Sequence, residues 1–353
     1  MRAAVIRQAG GTPAVEQFAD PRPGPGLSVG TLVAAALNPL DVLIVNDQLP
    51  FRPLQPPCVA GYEAVVQLGD GTRWYLGGPP APYGTLAELV PVPDSAGFGV
   101  PADVDPGLAA ALGVAGLVGW VSLDYRAHLQ AGETVLVLGA GGTAGQLALQ
   151  SARILGAGRV VGAARGKALG QVAALGADAV VDLASGQATG AGQATDAGQA
   201  TGAGQALDAG LATGAGQATG AGQATGAGQA LDAGLAAAAP GGYDVIVDFL
   251  WGAPAPYAMN HANVGARYIQ AGSAAGPTAA ITASAIRNKL LTVIGQGTVG
   301  TPADVRRAAY AQLMRHAADG KFTLDLERTR LADISQTWER LKAGSPRKLV
   351  VTP

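Results

Sequence analysis

The hydrophobic pattern divides the chain into two parts of different character. In the first hundred residues, short apolar runs of strand length at 1–7, 31–37, 58–68 and 86–92 are separated by turns rich in glycine and proline. Short strands bounded by such turns predict a β-rich barrel or sandwich. A helical apolar stretch follows at 107–123, directly after Asp105-Pro106, a pair that favours a helix start.

From residue 133 onward, strand and helix patterns alternate. Strands are predicted at 133–138, 159–163, 179–182, 243–249 and 266–272, with helices at 145–155 and 167–175 between the first of them. This alternation predicts an α/β fold with a Rossmann-type, doubly wound parallel sheet. The last fifty residues predict a helix, a strand, a short helix and a terminal strand, at 303–319, 324–331, 334–341 and 348–351.

Residues 186–236 form a low-complexity repeat of six residues, Gly-Gln-Ala-Thr-Gly-Ala with variants, and residues 198–212 recur unchanged at 222–236. Each unit supplies at most one leucine, which is too little for a solenoid core. Glycine at every sixth position leaves no apolar stripe on a helix and lowers helix stability. We therefore expect a flexible or weakly helical surface insertion, produced by duplication and without a function of its own.

Composition narrows the class of protein. The chain has 353 residues, 48% hydrophobic and 14% charged, with a formal charge of −2 and one cysteine, Cys58. The length suggests two domains. The net charge does not indicate binding to nucleic acid or to an anionic membrane. A single cysteine excludes an internal disulfide framework and fits a reducing compartment. We expect a soluble, cytoplasmic protein, because 107–123 is shorter than the ~20 apolar residues of a bilayer span and no signal peptide is visible.

The strongest motif follows the strand at 134–138. Seven small residues separate this strand from the next helix: Gly139, Ala140, Gly141, Gly142, Thr143, Ala144 and Gly145. Glycine permits the tight turn and lets the backbone approach a pyrophosphate, whose charge is stabilised by the helix N-terminus. The turn predicts a dinucleotide site.

The residues after the second strand predict the choice of dinucleotide. NAD sites usually place an acidic residue there, but no acidic residue occurs between Glu133 and Asp178, and Arg165 and Lys167 occupy the turn instead. Two cations suit the 2′-phosphate of NADPH. The alternative is that they only solvate the start of a helix.

Taken in order, several segments resemble the quinone oxidoreductase subfamily of the medium-chain dehydrogenase/reductases, over almost the whole chain except the repeat. The segments are Leu37-Asn38-Pro39-Leu40-Asp41, Gly61-Tyr62-Glu63, Tyr83-Gly84-Thr85, the glycine turn, Leu175-Gly176-Ala177-Asp178 and Arg347-Lys348-Leu349. The resemblance implies a GroES-like, β-rich catalytic domain at 1–110 and 296–353, and a Rossmann NADP-binding domain at 111–295. It also implies a homodimer, formed through an edge strand near 290–295.

The resemblance also implies that the protein works without zinc. Zinc-dependent relatives place a cysteine where this chain has Asn38 and a histidine where it has Tyr62, and their structural zinc needs four cysteines. The three histidines, His128, His261 and His316, lack ligand spacing. Without these ligands, we expect no metal site.

By resemblance, Asn38 binds a substrate carbonyl or a cofactor amide, and Asp41 orients its loop; the alternative is a purely structural turn. Residues expected to flank the nicotinamide are Phe249, Leu250, Gly272, Ser273, Gln296, Gly297 and Thr298. Phe51 and Trp120 are expected to line the substrate pocket.

These residues predict hydride transfer from NADPH to a small-molecule carbonyl substrate, either a quinone or an α,β-unsaturated carbonyl. The family often has a tyrosine at 46–53, where this chain has Phe51, and a threonine where it has Val118. We therefore expect solvent to supply the proton. The alternatives are a non-enzymatic NADPH-binding sensor or scaffold, and an enoyl reductase that tailors a secondary metabolite.

Overall fold

The computed structural model describes residues 1–50, 52–190, 226–298 and 300–353. Its contacts divide the chain into two compact units. The first unit comprises Met1–His128, Gly142–Ile154 and Gln296–Pro353, and the second comprises Leu129–Gly141 and Leu155–Gly295.

The first unit is rich in β-strands, as predicted for the N-terminal part. Its strands are β1 (Arg2–Ile6), β2 (Ala14–Gln17), β3 (Leu27–Ala36), β4 (Cys58–Val59), β5 (Glu63–Gln67), β6 (Arg73–Gly77), β7 (Leu89–Pro93) and β8 (Phe98–Val100), with β16 (Leu326–Arg330) and β17 (Lys348–Thr352) from the C-terminal part. Three of them form a sheet in the order β2-β1-β4. The others form a seven-stranded sheet in the order β16-β17-β3-β5-β6-β8, with β7 paired to β3.

The helices of this unit include one feature that the sequence did not predict. Helix α1 (Pro39–Val45) begins directly at the proline. Asn38 itself is extended, as expected before proline, but proline suits the first position of a helix, and the Asp41 carboxylate accepts the Asn38 N–H at 2.7 Å. The remaining helices are α4 (Thr143–Ile154), α9 (Ala303–Ala318), α10 (Ile334–Lys342) and the apolar segment Pro106–Arg126.

The apolar segment alternates between α-helix and π-helix. It consists of α2 (Pro106–Ala111), a π-helical turn Leu112–Gly116, α3 (Leu117–Val121) and a second π-helical turn Ser122–Arg126. Among the described helices, it is long and apolar enough to cross a membrane, and 78% of its most apolar window is buried in the protein. The predicted buried helix is therefore present.

The second unit contains the predicted parallel sheet. Its strands are β9 (Thr134–Leu138), β10 (Arg159–Ala164), β11 (Ala179–Asp182), β12 (Ala188–Gly190), β13 (Tyr243–Asp248), β14 (Ala262–Gln270) and β15 (Thr292–Gly295). They lie in the order β12-β11-β10-β9-β13-β14-β15, and every pair is parallel except β11–β12. The helices are α5 (Ala168–Ala174), α6 (Gly226–Ala238), α7 (Pro254–Asn260) and α8 (Ala283–Arg287).

The described ends of the repeat correct the expectation of a surface insertion. Helix α6 comes from the last repeat units, and Leu231 and Leu235 pack into the hydrophobic core of the second unit. The two leucines are four residues apart and therefore share one helix face, an apolar stripe that the glycine spacing alone does not reveal. A Cβ on Gly234 would lie 1.9 Å from the carbonyl oxygen of Gly186, so this glycine allows the close packing. Residues 191–225 lie outside the described residues.

The division into units differs from the predicted boundaries. Residues 111–128 and helix α4 belong to the first unit, although the sequence placed them in the nucleotide domain. The packing explains the difference, because a Cβ on Gly119 in α3 would lie 3.1 Å from Ala148 in α4. Hydrogen bonds between Gln150 of α4 and the backbone of Thr323 also join elements of the first unit.

Candidate functional site

The turn after β9 is shaped by its glycines. Gly139 has a φ of 83°, a left-handed conformation that favours glycine, and its N–H and that of Ala140 donate to the carbonyl oxygen of Ala163. A Cβ on Gly141 would lie 2.6 Å from the Cβ of Ala168 at the start of α5. Any larger residue at position 141 would therefore push the turn away from α5.

Helix α4 begins directly after this turn. Gly142 is exposed and its carbonyl oxygen accepts the N–H of Gln146, while Thr143 and Ala144 are half-buried and Gly145 is buried. The N–H groups of a first helical turn have no partners within the helix. The residues at this helix start thus have small side chains and N–H groups without a partner inside the helix, and none of them is acidic.

Arg165 and Lys167 lie at the carboxyl end of β10 and are both exposed. Neither forms an ion pair with a described residue. The nearest acidic strand end is Asp182 of β11, which pairs with Ala164 in register. Its carboxylate accepts hydrogen bonds from the N–H of Ala184 and the hydroxyl of Ser185 at 2.9 and 2.8 Å, so local donors occupy it.

Asp248 organises the turn after β13. One carboxylate oxygen accepts the N–H groups of Leu250 and Trp251 at 2.7 and 2.9 Å, and the other accepts the Tyr268 hydroxyl. Burial raises the pKa of Asp248, opposed by these donors. Trp251 has a φ of 54°, uncommon for a residue with a side chain, and the Asp248 carboxylate holds it there.

The turns after β13 and β14 are joined by their backbones. The N–H of Ala274 donates to the carbonyl oxygen of Phe249. A Cβ on Gly272 would lie 2.7 Å from that oxygen. A Cβ on Gly139 would lie 3.1 Å from Leu250. Within the second unit, the structure thus brings together the predicted residues Gly139, Phe249, Leu250 and Gly272. Ser273 follows Gly272 in the same turn and is exposed.

The predicted segment Gln296–Thr298 belongs to the first unit. The Gln296 side chain is buried, accepts a hydrogen bond from Arg126 at 2.9 Å and donates to the hydroxyl of Thr301 at 3.2 Å. That hydroxyl donates in turn to the carbonyl oxygen of Gly297. Thr298 is half-buried next to them.

Asn38 lies at the centre of a buried polar cluster in the first unit. Its amide nitrogen donates to Glu63 at 2.6 Å and to the carbonyl oxygen of Ala36 at 3.3 Å. Its amide oxygen accepts a hydrogen bond from the Lys348 ammonium at 2.6 Å. Both amide hydrogens are therefore used inside the protein, and only the amide oxygen keeps a free lone pair.

Glu63 and Lys348 are the members of this cluster that the sequence prediction did not name as site residues. Glu63 is fully buried and accepts the Tyr75 hydroxyl at 2.9 Å and the Val114 N–H at 2.6 Å; Lys348 also donates to the carbonyl oxygen of Leu37 at 2.8 Å. Val114 lies in the first π-helical turn. Glu63 and Lys348 each lie beside apolar residues in a strand pattern. Because charged residues are rarely buried unless they are paired, this pattern could have predicted a buried pair.

The ionisation of this cluster is shifted by burial. Burial raises the pKa of Glu63 and lowers that of Lys348, each opposed by the other's charge. Burial also raises the pKa of Asp41 to about 7. The hydrogen bonds from the N–H groups of Asn38 and Tyr62 to its carboxylate act in the opposite direction. Asp41 is thus a buried carboxyl that titrates near neutrality.

The two predicted pocket residues differ in what the structure shows. Trp120 is 2% exposed, its ring lies 5.5 Å from that of His316, and its indole N–H is buried without a partner among the described residues. Phe51 lies outside the described residues. Within the described residues, no group of three histidine, cysteine, aspartate or glutamate side chains could hold a metal ion.

Solved structures of known oxidoreductases share this fold. A mycobacterial quinone oxidoreductase matches with a TM-score of 0.79 and 19% identity, over 100% of both chains. The quinone oxidoreductase of Thermus thermophilus, also crystallised with NADPH, matches with a TM-score of 0.75 and 24% identity, over 100% of both chains. The predicted resemblance and the α/β class with a Rossmann-type sheet are confirmed at the level of the fold.

Curated relatives match a smaller part of the chain. A trans-enoyl reductase of Aspergillus terreus is 31% identical over 181 residues, covering 44% of this chain and 59% of that protein. A trans-enoyl reductase of Aspergillus flavipes is 31% identical over 180 residues, covering 44% and 52%. The chain thus spans little more than half the length of these relatives. No protein-family model matches it.

Proposed function

We propose that this protein is an NADPH-dependent oxidoreductase that transfers hydride to a quinone or an α,β-unsaturated carbonyl. The observation that carries the proposal is the turn from Gly139 to Gly145, which joins a buried parallel strand to a helix N-terminus. Gly139 is left-handed, and Gly141 has room for no side chain. Such a turn suits a pyrophosphate, and the reduced nicotinamide supplies the hydride when bound.

NADPH rather than NADH is supported by charge. Arg165 and Lys167 are exposed at the end of β10 with no carboxylate partner among the described residues, and Asp182 is occupied by local donors. A 2′-phosphate would find two cations there, whereas the ribose 2′-hydroxyl of NADH would find no carboxylate. The similar fold crystallised with NADPH agrees with this choice.

In this proposal, Asn38 binds the cofactor amide and Asp41 holds the backbone around it in place. Since both Asn38 amide hydrogens are bound internally, its amide oxygen is the atom left to accept an N–H from a cofactor amide. Asp41 fixes the start of α1 through the N–H of Asn38 and the start of β5 through the N–H of Tyr62 at 2.8 Å. We place Trp120 and Phe51 at the substrate pocket, as the resemblance implies.

The proposed reaction needs no metal. The chain has one cysteine and three histidines, and position 38 carries an amide instead of a thiolate. The carbonyl must therefore be polarised by hydrogen-bond donors.

Association into a homodimer is supported by the free edge of the second unit's sheet. β15 is the edge strand, and the nearby side chains of Val264, Leu290 and Val293 are 71%, 69% and 42% exposed. An exposed apolar edge strand is a surface for pairing with a second copy. Sedimentation of the wild type and of Val293→Lys would check this, and a monomeric wild type would contradict it.

The proposed function is tested by following NADPH oxidation with a panel of simple quinones and acyclic enones, with and without a chelator. We expect turnover that the chelator leaves unchanged. The names of the two fungal relatives favour enones as the better acceptors. Tight NADPH binding without turnover of any acceptor would instead support a sensor or scaffold.

A further inference from the structure

Tyr62 holds a phenol that the proposed reaction has not yet used. Its backbone is fixed on both sides, because its N–H donates to Asp41 at 2.8 Å and its carbonyl oxygen accepts the N–H of Gly78 at 2.7 Å. Its ring lies against two glycines, since a Cβ on Gly77 or on Gly78 would come within 3.2 Å of a ring carbon. The position of the ring is therefore set by the fold.

The Tyr62 hydroxyl makes no hydrogen bond to a described residue. Two other tyrosines of the same unit differ in this respect, because Tyr75 donates to Glu63 at 2.9 Å and Tyr310 donates to the carbonyl oxygen of Ala109 at 2.9 Å. A half-buried phenol with a free hydroxyl is available to a ligand.

A guanidinium with no counter-ion among the described residues accompanies this phenol. The Cζ of Arg52 lies 5.4 Å from the centroid of the Tyr62 ring, and one of its nitrogens donates to the carbonyl oxygen of Pro79 at 3.0 Å. No described carboxylate pairs with it, so most of its five N–H groups remain unused. Burial lowers the pKa of Arg52, opposed by the charges of Tyr62, Asp41 and Cys58.

Arg306 of α9 adds a second cation, and its Nε is buried without a partner among the described residues. Its charge and that of Arg52 both act to lower the pKa of Tyr62, whereas burial and the charges of Glu63 and Asp41 act to raise it, and burial dominates. The phenol thus keeps its proton at neutral pH, while the two cations favour the anion once the proton has left.

The carboxylates of Asp41 and Glu63, the other acidic groups near Tyr62, are not accessible to a ligand. Asp41 is 1% exposed and Glu63 is 0% exposed, and protein donors surround both carboxylates. Phe51 and Val118 have no hydroxyl. Of the described groups Asp41, Glu63 and Tyr62, only the Tyr62 hydroxyl therefore has both a proton and an open hydrogen-bond position.

We infer that Tyr62 is the proton donor of the proposed reduction, and that Arg52 stabilises the anion it leaves. The inference rests on the proposed function. The substrate accepts a hydride at its β-carbon from reduced nicotinamide nucleotide, and the electrons of the C=C bond move to the carbonyl oxygen. That oxygen takes the proton of the Tyr62 hydroxyl, and water returns a proton to the phenolate. The enol then rearranges to the saturated carbonyl, and oxidised nucleotide is the other product.

The test compares Tyr62→Phe with Tyr83→Phe, a control in the same unit whose hydroxyl interacts only weakly, with the carbonyl oxygen of Asp20 at 3.4 Å. Loss of a general acid lowers rates by about 100-fold or more, so we expect that loss in kcat for Tyr62→Phe, with KM and NADPH affinity little changed. Arg52→Met should also lower kcat, with partial rescue in Arg52→Lys.

A binding measurement gives a readout independent of turnover. With tyrosine labelled by carbon-13 at Cζ, the Tyr62 resonance is the one missing from Tyr62→Phe. We expect this resonance to shift when the saturated ketone product is added, and the Tyr83 resonance to stay in place.

Two failures are distinguishable. A wild type that reduces neither quinones nor enones would overturn the proposed function. If the wild type reduces them and Tyr62→Phe keeps the wild-type kcat, only the assignment of Tyr62 is overturned. The same holds if the Tyr62 resonance does not shift when the ketone is added.

Discussion

The ammonium of Lys348 lies 2.6 Å from the amide oxygen of Asn38, so the last strand of the chain holds a side chain 310 residues earlier. Glu63 holds the other end of the same amide at 2.6 Å. The orientation of Asn38 is therefore determined by one cation and one anion, both buried in the first unit.

Removal of Lys348 should destabilise the protein strongly. Lys348→Met leaves Glu63 buried without its cation, and breaking one partner of a buried pair costs about 3–5 kcal/mol of unfolding free energy. Lys342→Met is the control, because its contact with Glu339 at 3.2 Å is exposed and should contribute under about 1 kcal/mol. Urea denaturation measures both, and an equal effect of the two substitutions would contradict the role of the buried pair.

Asp41 should make stability depend on pH. Its pKa is raised from 3.8 to about 7 in the folded state, so the folded chain binds this proton more tightly than the unfolded chain. The contribution of Asp41 is present below its unfolded pKa and is lost as the pH rises through the window from about 4 to about 7. Thermal unfolding across that window should show a smaller pH dependence in Asp41→Asn than in the wild type. Identical slopes would show that other groups carry the dependence.

Gly141 should tolerate no side chain. In Gly141→Ala, the new Cβ would meet Ala168 at 2.6 Å, and such overpacking costs about 1–3 kcal/mol. We also expect weaker NADPH binding, since the turn must move. Gly170→Ala in α5 is the control, because a Cβ there meets nothing within 4 Å. Calorimetric titration with NADPH together with thermal unfolding would check both variants.

Arg165 should discriminate between the two dinucleotides. A hydrogen bond to a charged group contributes about 1.5–3 kcal/mol, so Arg165→Ala should weaken NADPH binding by roughly 10- to 100-fold and leave NADH binding nearly unchanged. Arg287→Ala, an exposed residue of α8, serves as the control. Equal losses for NADPH and NADH would remove the assignment of Arg165 to the 2′-phosphate.

Leu235 should contribute strongly to the packing of helix α6. It is fully buried, so Leu235→Ala should lower the unfolding free energy by about 2–5 kcal/mol. Leu43→Ala in α1 is the control, because the Leu43 side chain is 40% exposed. We expect a smaller effect of Leu43→Ala in chemical denaturation, and equal effects of the two substitutions would contradict the core position of Leu235.

The sequence by itself determined the α/β class and most strands and helices, because their signals are local. The strand at 134–138, its glycine turn and the helix that follows can be read within twenty residues, and the structure has all three. The pattern also predicted β11 at its observed ends, Ala179 and Asp182. Helix α1 was missed, because Asn38-Pro39 suits a turn as well as a helix start.

Only the tertiary structure decided which polar residues act together. Nothing local pairs Lys348 with Asn38 and Glu63, and nothing local distinguishes the free hydroxyl of Tyr62 from the bound hydroxyl of Tyr75. The repeat shows the same limit, since its last units form helix α6 with Leu231 and Leu235 in the core, which the six-residue period does not predict. Periodicity reports what a segment can form, whereas burial and partners distant in sequence decide what each side chain does.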